Sequence, residues 1–167
     1  MKVIRLLAAS ALFLFAIPGG LLIVGRGLDA YVFPFPLPEL AHLIGVSVFL
    51  AGFMIGATSI WQLYSYGSGM PRGDVVEEHQ SSRLVTRGLY GYTRNPMLPG
   101  SGLVFSGVGL YFGSFSMAFV LSPLFVAVVS LWIKKKEEPK LVKRFGQEYL
   151  EYREKTPFLI PRIRKED

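Results

Sequence analysis

The sequence contains no cysteine, which excludes disulfides, thiolate nucleophiles and cysteine-ligated metals. Histidine is nearly absent. His42 and His79 lie far apart with no ligand-like cluster around either, so no metal site is expected. Charge is scarce too: charged residues make up 18% and hydrophobic residues 51%, where a soluble domain carries about 25% charged residues. In so apolar a chain, the formal net charge of +6 is read as attraction to anionic lipid and control of topology, not as nucleic-acid binding.

What is present is a set of long uncharged runs, and a membrane span needs roughly 20 apolar residues. The first candidate covers residues 4–24, whose stretch LLAASALFLFAIPGGLLIV carries no charge. A signal peptide competes for this segment, but the run is long for one and no A-x-A cleavage site follows. The second candidate covers residues 40–66, with Trp61, Tyr64 and Tyr66 at one end as an interfacial belt. Between these two, the proline-spaced YVFPFPLPEL reads as a stiff apolar turn. Two shorter candidates, 97–112 and 116–133, are separated only by Gly113, Ser114 and Phe115 and form a tight helical hairpin. The expected fold is all-α: a single membrane domain, 1–167, of about four spans, with a cytoplasmic loop at 67–96 and a cytoplasmic amphipathic segment at 137–167.

The basic residues agree with that topology. With the N-terminus inside, all 18 Lys and Arg except Arg26 fall on the cytoplasmic side. The positive-inside rule then gives an even number of spans and two cytoplasmic termini. Gly45, Gly52, Gly56 and Ser59 form one small-residue face on the second span, and Gly102, Ser106, Gly109 and Gly113 another on the third. Such faces let helices approach closely in lipid. Beyond residue 137, Leu141, Phe145, Tyr149 and Tyr152 recur with helical spacing between charges, an amphipathic pattern that Gly146 interrupts.

The hairpin returns the chain to the side it left. It therefore brings Arg94 and Asn95 near Glu137 and Glu138. Each has a purely structural reading. Asn95 and Pro96 suit the start of the third span, Arg94 suits an interfacial anchor, and the glutamates suit the first turn of a surface helix, with Lys134 as an i−4 partner for Glu138.

Taken together, Leu84-Val85-Thr86-Arg87-Gly88-Leu89-Tyr90, Arg94-Asn95-Pro96-Met97-Leu98, Glu137-Glu138-Pro139-Lys140-Leu141 and the stretch Phe145 to Tyr152 follow an ordered pattern. In that order and spacing the chain resembles the isoprenylcysteine carboxyl methyltransferase and phospholipid N-methyltransferase superfamily. Its signature runs G-x-Y, R-H-P-x-Y, then E-E-x-x-L and F-G-x-x-Y-x-x-Y after a hairpin. The resemblance implies a membrane-embedded methyltransferase that uses S-adenosylmethionine at the cytoplasmic face. Carried over by position, cofactor contacts fall on Ser82, Arg83, Leu84, Val85, Tyr90, Asn95, Pro96, Met97, Leu98 and Glu137, and the catalytic motif residues are Arg94 and Glu138. The acceptor implied is lipophilic or small, presenting a carboxylate, an amine or a thiol, with the lipid bilayer as partner.

Three positions depart from the pattern. Asn95 replaces the motif histidine and keeps hydrogen bonding while losing proton transfer. Leu98 replaces the motif tyrosine, and Ile133 stands where prenylcysteine enzymes carry a substrate-binding arginine, so that substrate is not carried over. The alternative function is a non-catalytic membrane binding module on the same fold. A transporter is disfavoured, because the spans hold no charged residue except at their ends.

Overall fold

The computed structural model describes residues 15–34, 36–67 and 83–161. Among the described residues there is helix and no strand. The helices are α1 (Ile17–Val32), α2 (Leu40–Gly67), a short α3 (Leu89–Tyr92), α4 (Met97–Tyr111), α5 (Ser122–Trp132), α6 (Glu138–Phe145) and α7 (Gln147–Lys155). π-helical turns at Met117–Leu121 and Ile133–Glu137 join α5 and α6 into one continuous helix, Met117–Phe145.

α2 and the Met117–Phe145 helix are long and apolar enough to cross a membrane; α4 is apolar but has 15 residues. Only 17% and 22% of the most apolar windows of the two long helices are buried. The core helix of a soluble protein would bury most of such a window, so these surfaces call for an apolar solvent. Of the first apolar run, residues 4–14 lie outside the described residues. The described helix does not stop at residue 24, where the uncharged run ends, but continues to Val32 and takes in Arg26 and Asp29. A charge ends an apolar run without breaking a helix, and Asp29 has a structural partner, described next.

The chain divides into two compact units. The first comprises Met1–Phe53 and Ser101–Val126, the second Met54–Gly100 and Ala127–Asp167. In the first unit, the turn between α4 and the long helix is held by Asp29. Its carboxylate accepts the Ser114 hydroxyl at 2.6 Å and the Ser116 backbone N–H at 2.7 Å. The Ser114 oxygen in turn accepts the Met117 N–H at 3.2 Å, the bond of an N-cap. Gly113, with φ of 70°, makes the reversal. α1 reaches this turn because Gly25 is bare: a Cβ there would lie 2.7 Å from the Ser114 Oγ and 2.8 Å from the Met117 Cβ.

The glycines do not all work as the two expected faces suggest. Gly45 packs on α4 through Gly107 and Tyr111, and a Cβ on Gly107 would meet the Phe49 nitrogen at 2.5 Å and the Gly45 oxygen at 2.7 Å. Gly107 lies off the Gly102–Gly113 face named from the sequence. That face turns to the hairpin partner instead, with Gly102 against Val126, Gly109 against Ala118, and Ser106 donating to the Ala118 carbonyl at 2.9 Å. Gly56 has open space beside it. α4 therefore carries two small-residue contacts, and helical periodicity alone cannot say which neighbour takes which.

Candidate functional site

The second unit holds the charged segments. Its first fixed point is Gln62, a buried amide near the end of α2. The Gln62 Oε1 accepts the Leu89 N–H at 2.9 Å. Gly88, at φ 61°, passes so close that a Cβ would lie 2.4 Å from the Gln62 Nε2. A buried amide has to be hydrogen-bonded, and here the bond seats the α3 turn and buries Tyr90.

The C-terminal chain closes on the same segment. Tyr152 donates its hydroxyl to the Tyr90 carbonyl at 2.6 Å. The Arg94 N–H donates to the Pro157 carbonyl at 2.9 Å, and the Thr93 hydroxyl to the Phe158 carbonyl at 3.0 Å. Thr93, Tyr149, Tyr152, Thr156 and Phe158 are all buried. The helix breaks at Gly146, whose φ is 56°, and α7 carries Tyr149 and Tyr152 inward. Leu141 and Phe145, on the face read from the sequence, are half-buried.

At the centre, Arg94 Nη1 lies 2.9 Å from Glu138 Oε1, with side chains only 10% and 11% exposed. Tyr149 donates its hydroxyl to the same carboxylate oxygen at 3.2 Å. Glu138 reaches this position through the π-helical turn that precedes it, where its backbone N–H bonds the Ile133 carbonyl. The extra residue in that turn re-aims the helix face. Glu138 points inward while Lys134, Lys135 and Lys136 stay exposed. The i−4 pairing of Glu138 with Lys134 therefore gives way to Arg94, and Lys134 instead lies 4.6 Å over the Phe158 ring, which Arg94 also approaches at 5.6 Å.

The ion pair is close but not saturated. The Arg94 Nε and Nη1 are buried and make no aligned hydrogen bond, in spite of the short distance to Glu138. Orphaned buried donors are uncommon and mark positions where a ligand or water belongs. Burial also raises the phenols: Tyr90 is pushed up to about 12, and Tyr149 is raised by burial and by the Glu138 charge beside it. Burial raises Tyr152 as well, so all three phenols are neutral at neutral pH, and Tyr149 and Tyr152 donate hydrogen bonds.

Of the residues singled out from the sequence, Ser82 lies outside the described residues. Arg83, Leu84 and Val85 line a cavity of about 340 Å³ together with Ser65, Tyr66, Thr86 and Arg87. Pro96 and Leu98 are buried, and Asn95, Met97 and Glu137 are half-buried. Asn95 and Pro96 start α4, their carbonyls accepting the Leu98 and Gly100 N–H groups. Gln62, Thr93 and Phe158 are not among the residues singled out from the sequence, and Tyr149 is there only as part of the amphipathic pattern and the Phe145 to Tyr152 stretch. Only Gln62 carried a local signal, as an amide within an apolar run.

Residues 40–148, well over half of the chain, match the family model described as phospholipid methyltransferase. No curated protein and no solved structure gave a significant match.

Proposed function

Since the chain belongs to the phospholipid methyltransferase family, we propose that it transfers a methyl group from S-adenosylmethionine to a lipophilic or small acceptor. The acceptor presents a carboxylate, an amine or a thiol at the cytoplasmic membrane face. The four-span topology with both termini cytoplasmic, read from the one-sided charge, belongs to the same proposal.

The observation that carries this reading is Arg94, a buried guanidinium whose Nε and Nη1 have no aligned acceptor among the described residues. When bound, the cofactor supplies an electrophilic methyl on a sulfonium and brings one carboxylate and one ammonium. These groups fit the residues present. Arg94 would take the carboxylate through its Nε edge, whose buried donor has no acceptor among the described residues, while its Nη1 stays beside Glu138. Glu137 would take the ammonium or the ribose hydroxyls. Leu84, Val85 and Tyr66 would wall the adenine, with Arg83 flanking it, and Tyr90 and Asn95 to Leu98 would enclose the remainder. Glu138 balances the Arg94 charge and Tyr149 fixes its carboxylate, so the guanidinium is held before any ligand arrives. Such preorganisation is what an in-line methyl displacement needs, because alignment supplies much of its rate. Burial by Phe158 and Tyr152 keeps water from the charged pair and strengthens its field.

The test is equilibrium binding of S-adenosylmethionine to the purified protein in detergent, beside Arg94→Gln and Glu137→Gln. Saturable binding that both variants weaken supports the proposal. Absence of binding by the native protein overturns it. Transfer of labelled methyl into lipid, amine and thiol acceptors then identifies the acceptor class.

A further inference from the structure

A second cavity of about 380 Å³ lies in this unit, lined by Lys134, Glu138, Pro139, Val142, Lys143 and Arg153. Its charges do not balance. Glu138 is the one carboxylate in the lining, and its charge is already matched by Arg94. Lys134, Lys143 and Arg153 make no ion pair with any described residue. Three uncompensated cations around one concavity focus a positive potential and attract a multivalent oxygen anion. Phosphate oxygens are the group that Lys and Arg take best with charge-assisted hydrogen bonds.

The placement of the cavity says what carries that phosphate. Lys134 is two residues beyond Trp132, at the end of the apolar α5, and Trp132 is half exposed, as an aromatic at a membrane interface is. The first turns after a membrane-spanning helix lie at the level of lipid headgroups. Pro139 and Val142 add an apolar floor beside the cations, which a glycerol backbone can cover and a free phosphate cannot. We propose that this cavity holds the phosphate of an anionic membrane lipid, bound by Lys134, Lys143 and Arg153. The site goes beyond methyl transfer and stands whether or not the cofactor binds.

The full-length protein, purified in neutral maltoside detergent, is offered phosphatidylglycerol or phosphatidylcholine, and retained lipid is read by native mass spectrometry. The pair K143Q/R153Q removes two cavity cations. The pair K140Q/K155Q removes two exposed cations outside the cavity and matches the charge change. All four positions are exposed, so folding is preserved and circular dichroism checks it. The native protein is expected to retain phosphatidylglycerol over phosphatidylcholine. K143Q/R153Q should lose at least about tenfold more of it than K140Q/K155Q, the effect of about 1.4 kcal/mol of lost charge-assisted bonding. Equal loss in the two pairs means diffuse attraction and overturns the site. Retention of both lipids alike overturns it as well, and binding of inorganic phosphate without retention of phosphatidylglycerol overturns the lipid assignment.

Discussion

Tyr149 and Arg94 meet on one atom: the phenol donates to Glu138 Oε1 at 3.2 Å, and the guanidinium reaches the same oxygen at 2.9 Å. A carboxylate so placed is held from two elements distant in sequence, the loop before α4 and α7. The pair is nearly out of solvent, and its members depend on each other.

That dependence is measurable. Removing one partner of a buried pair leaves a charge without compensation, at about 3–5 kcal/mol. Arg94→Met and Glu138→Leu alone are each expected to lower the thermal midpoint in detergent strongly, and the double variant to recover much of the loss. Additive losses in this cycle would show that the two charges do not interact.

The buried phenols set an alkaline limit. Burial raises Tyr90, Tyr149 and Tyr152 above the ordinary value, Tyr90 to about 12. The folded state thus keeps protons that the unfolded chain gives up above pH 10, so stability is complete below that value and falls as pH rises towards the folded value. Each phenol contributes a slope of about 1.4 kcal/mol per pH unit in that window. Tyr90→Phe, which removes no described hydroxyl bond, is expected to leave stability at pH 7 nearly unchanged and to flatten the alkaline loss. A denaturant series from neutral to alkaline pH reads this, and an unchanged alkaline slope refutes it.

Gly107→Ala tests the close approach of α2 and α4. Its Cβ would meet the Phe49 and Gly45 backbones, which cannot rotate away as a side chain can. The cost expected is about 1–3 kcal/mol, as for overpacking in a filled core. Gly56→Ala, with open space at its Cβ, should cost far less. The comparison is a thermal melt of the two variants side by side, and equal losses contradict the packing described.

Asp29→Ala removes the acceptor for the Ser114 hydroxyl and the Ser116 N–H. Loss of a helix-start acceptor costs about 1–2 kcal/mol. Hydrogen exchange should therefore quicken first at residues 114–117. Uniform quickening over the chain, with none focused there, would assign Asp29 no local role.

The sequence by itself placed the first helix of the hairpin and the start of the second, because apolar runs broken by a glycine turn leave few alternatives; the second, expected over 116–133, runs on to Phe145. Residues 97–112 and α4, and residues 40–66 and α2, agree almost to the residue. It also brought Arg94 and Glu138 to the same end of the hairpin, since two helices joined by a three-residue turn must return. What it could not show is which glutamate turns inward. That depends on a π-helical turn, which arises from packing and has no local signature in Lys134, Lys135 and Lys136.

Residues chosen only by tertiary packing stayed hidden for the same reason. Phe158 lies between Pro157 and Pro161, beyond the amphipathic repeat read from the sequence, yet it packs beneath two cations. Its carbonyl accepts the Thr93 hydroxyl. Apolar runs and the clustering of charge between them are properties of chain order, and solvent preference fixes them. The saturation of a buried charge is a property of who else arrives within hydrogen-bond distance, and only the folded chain decides that.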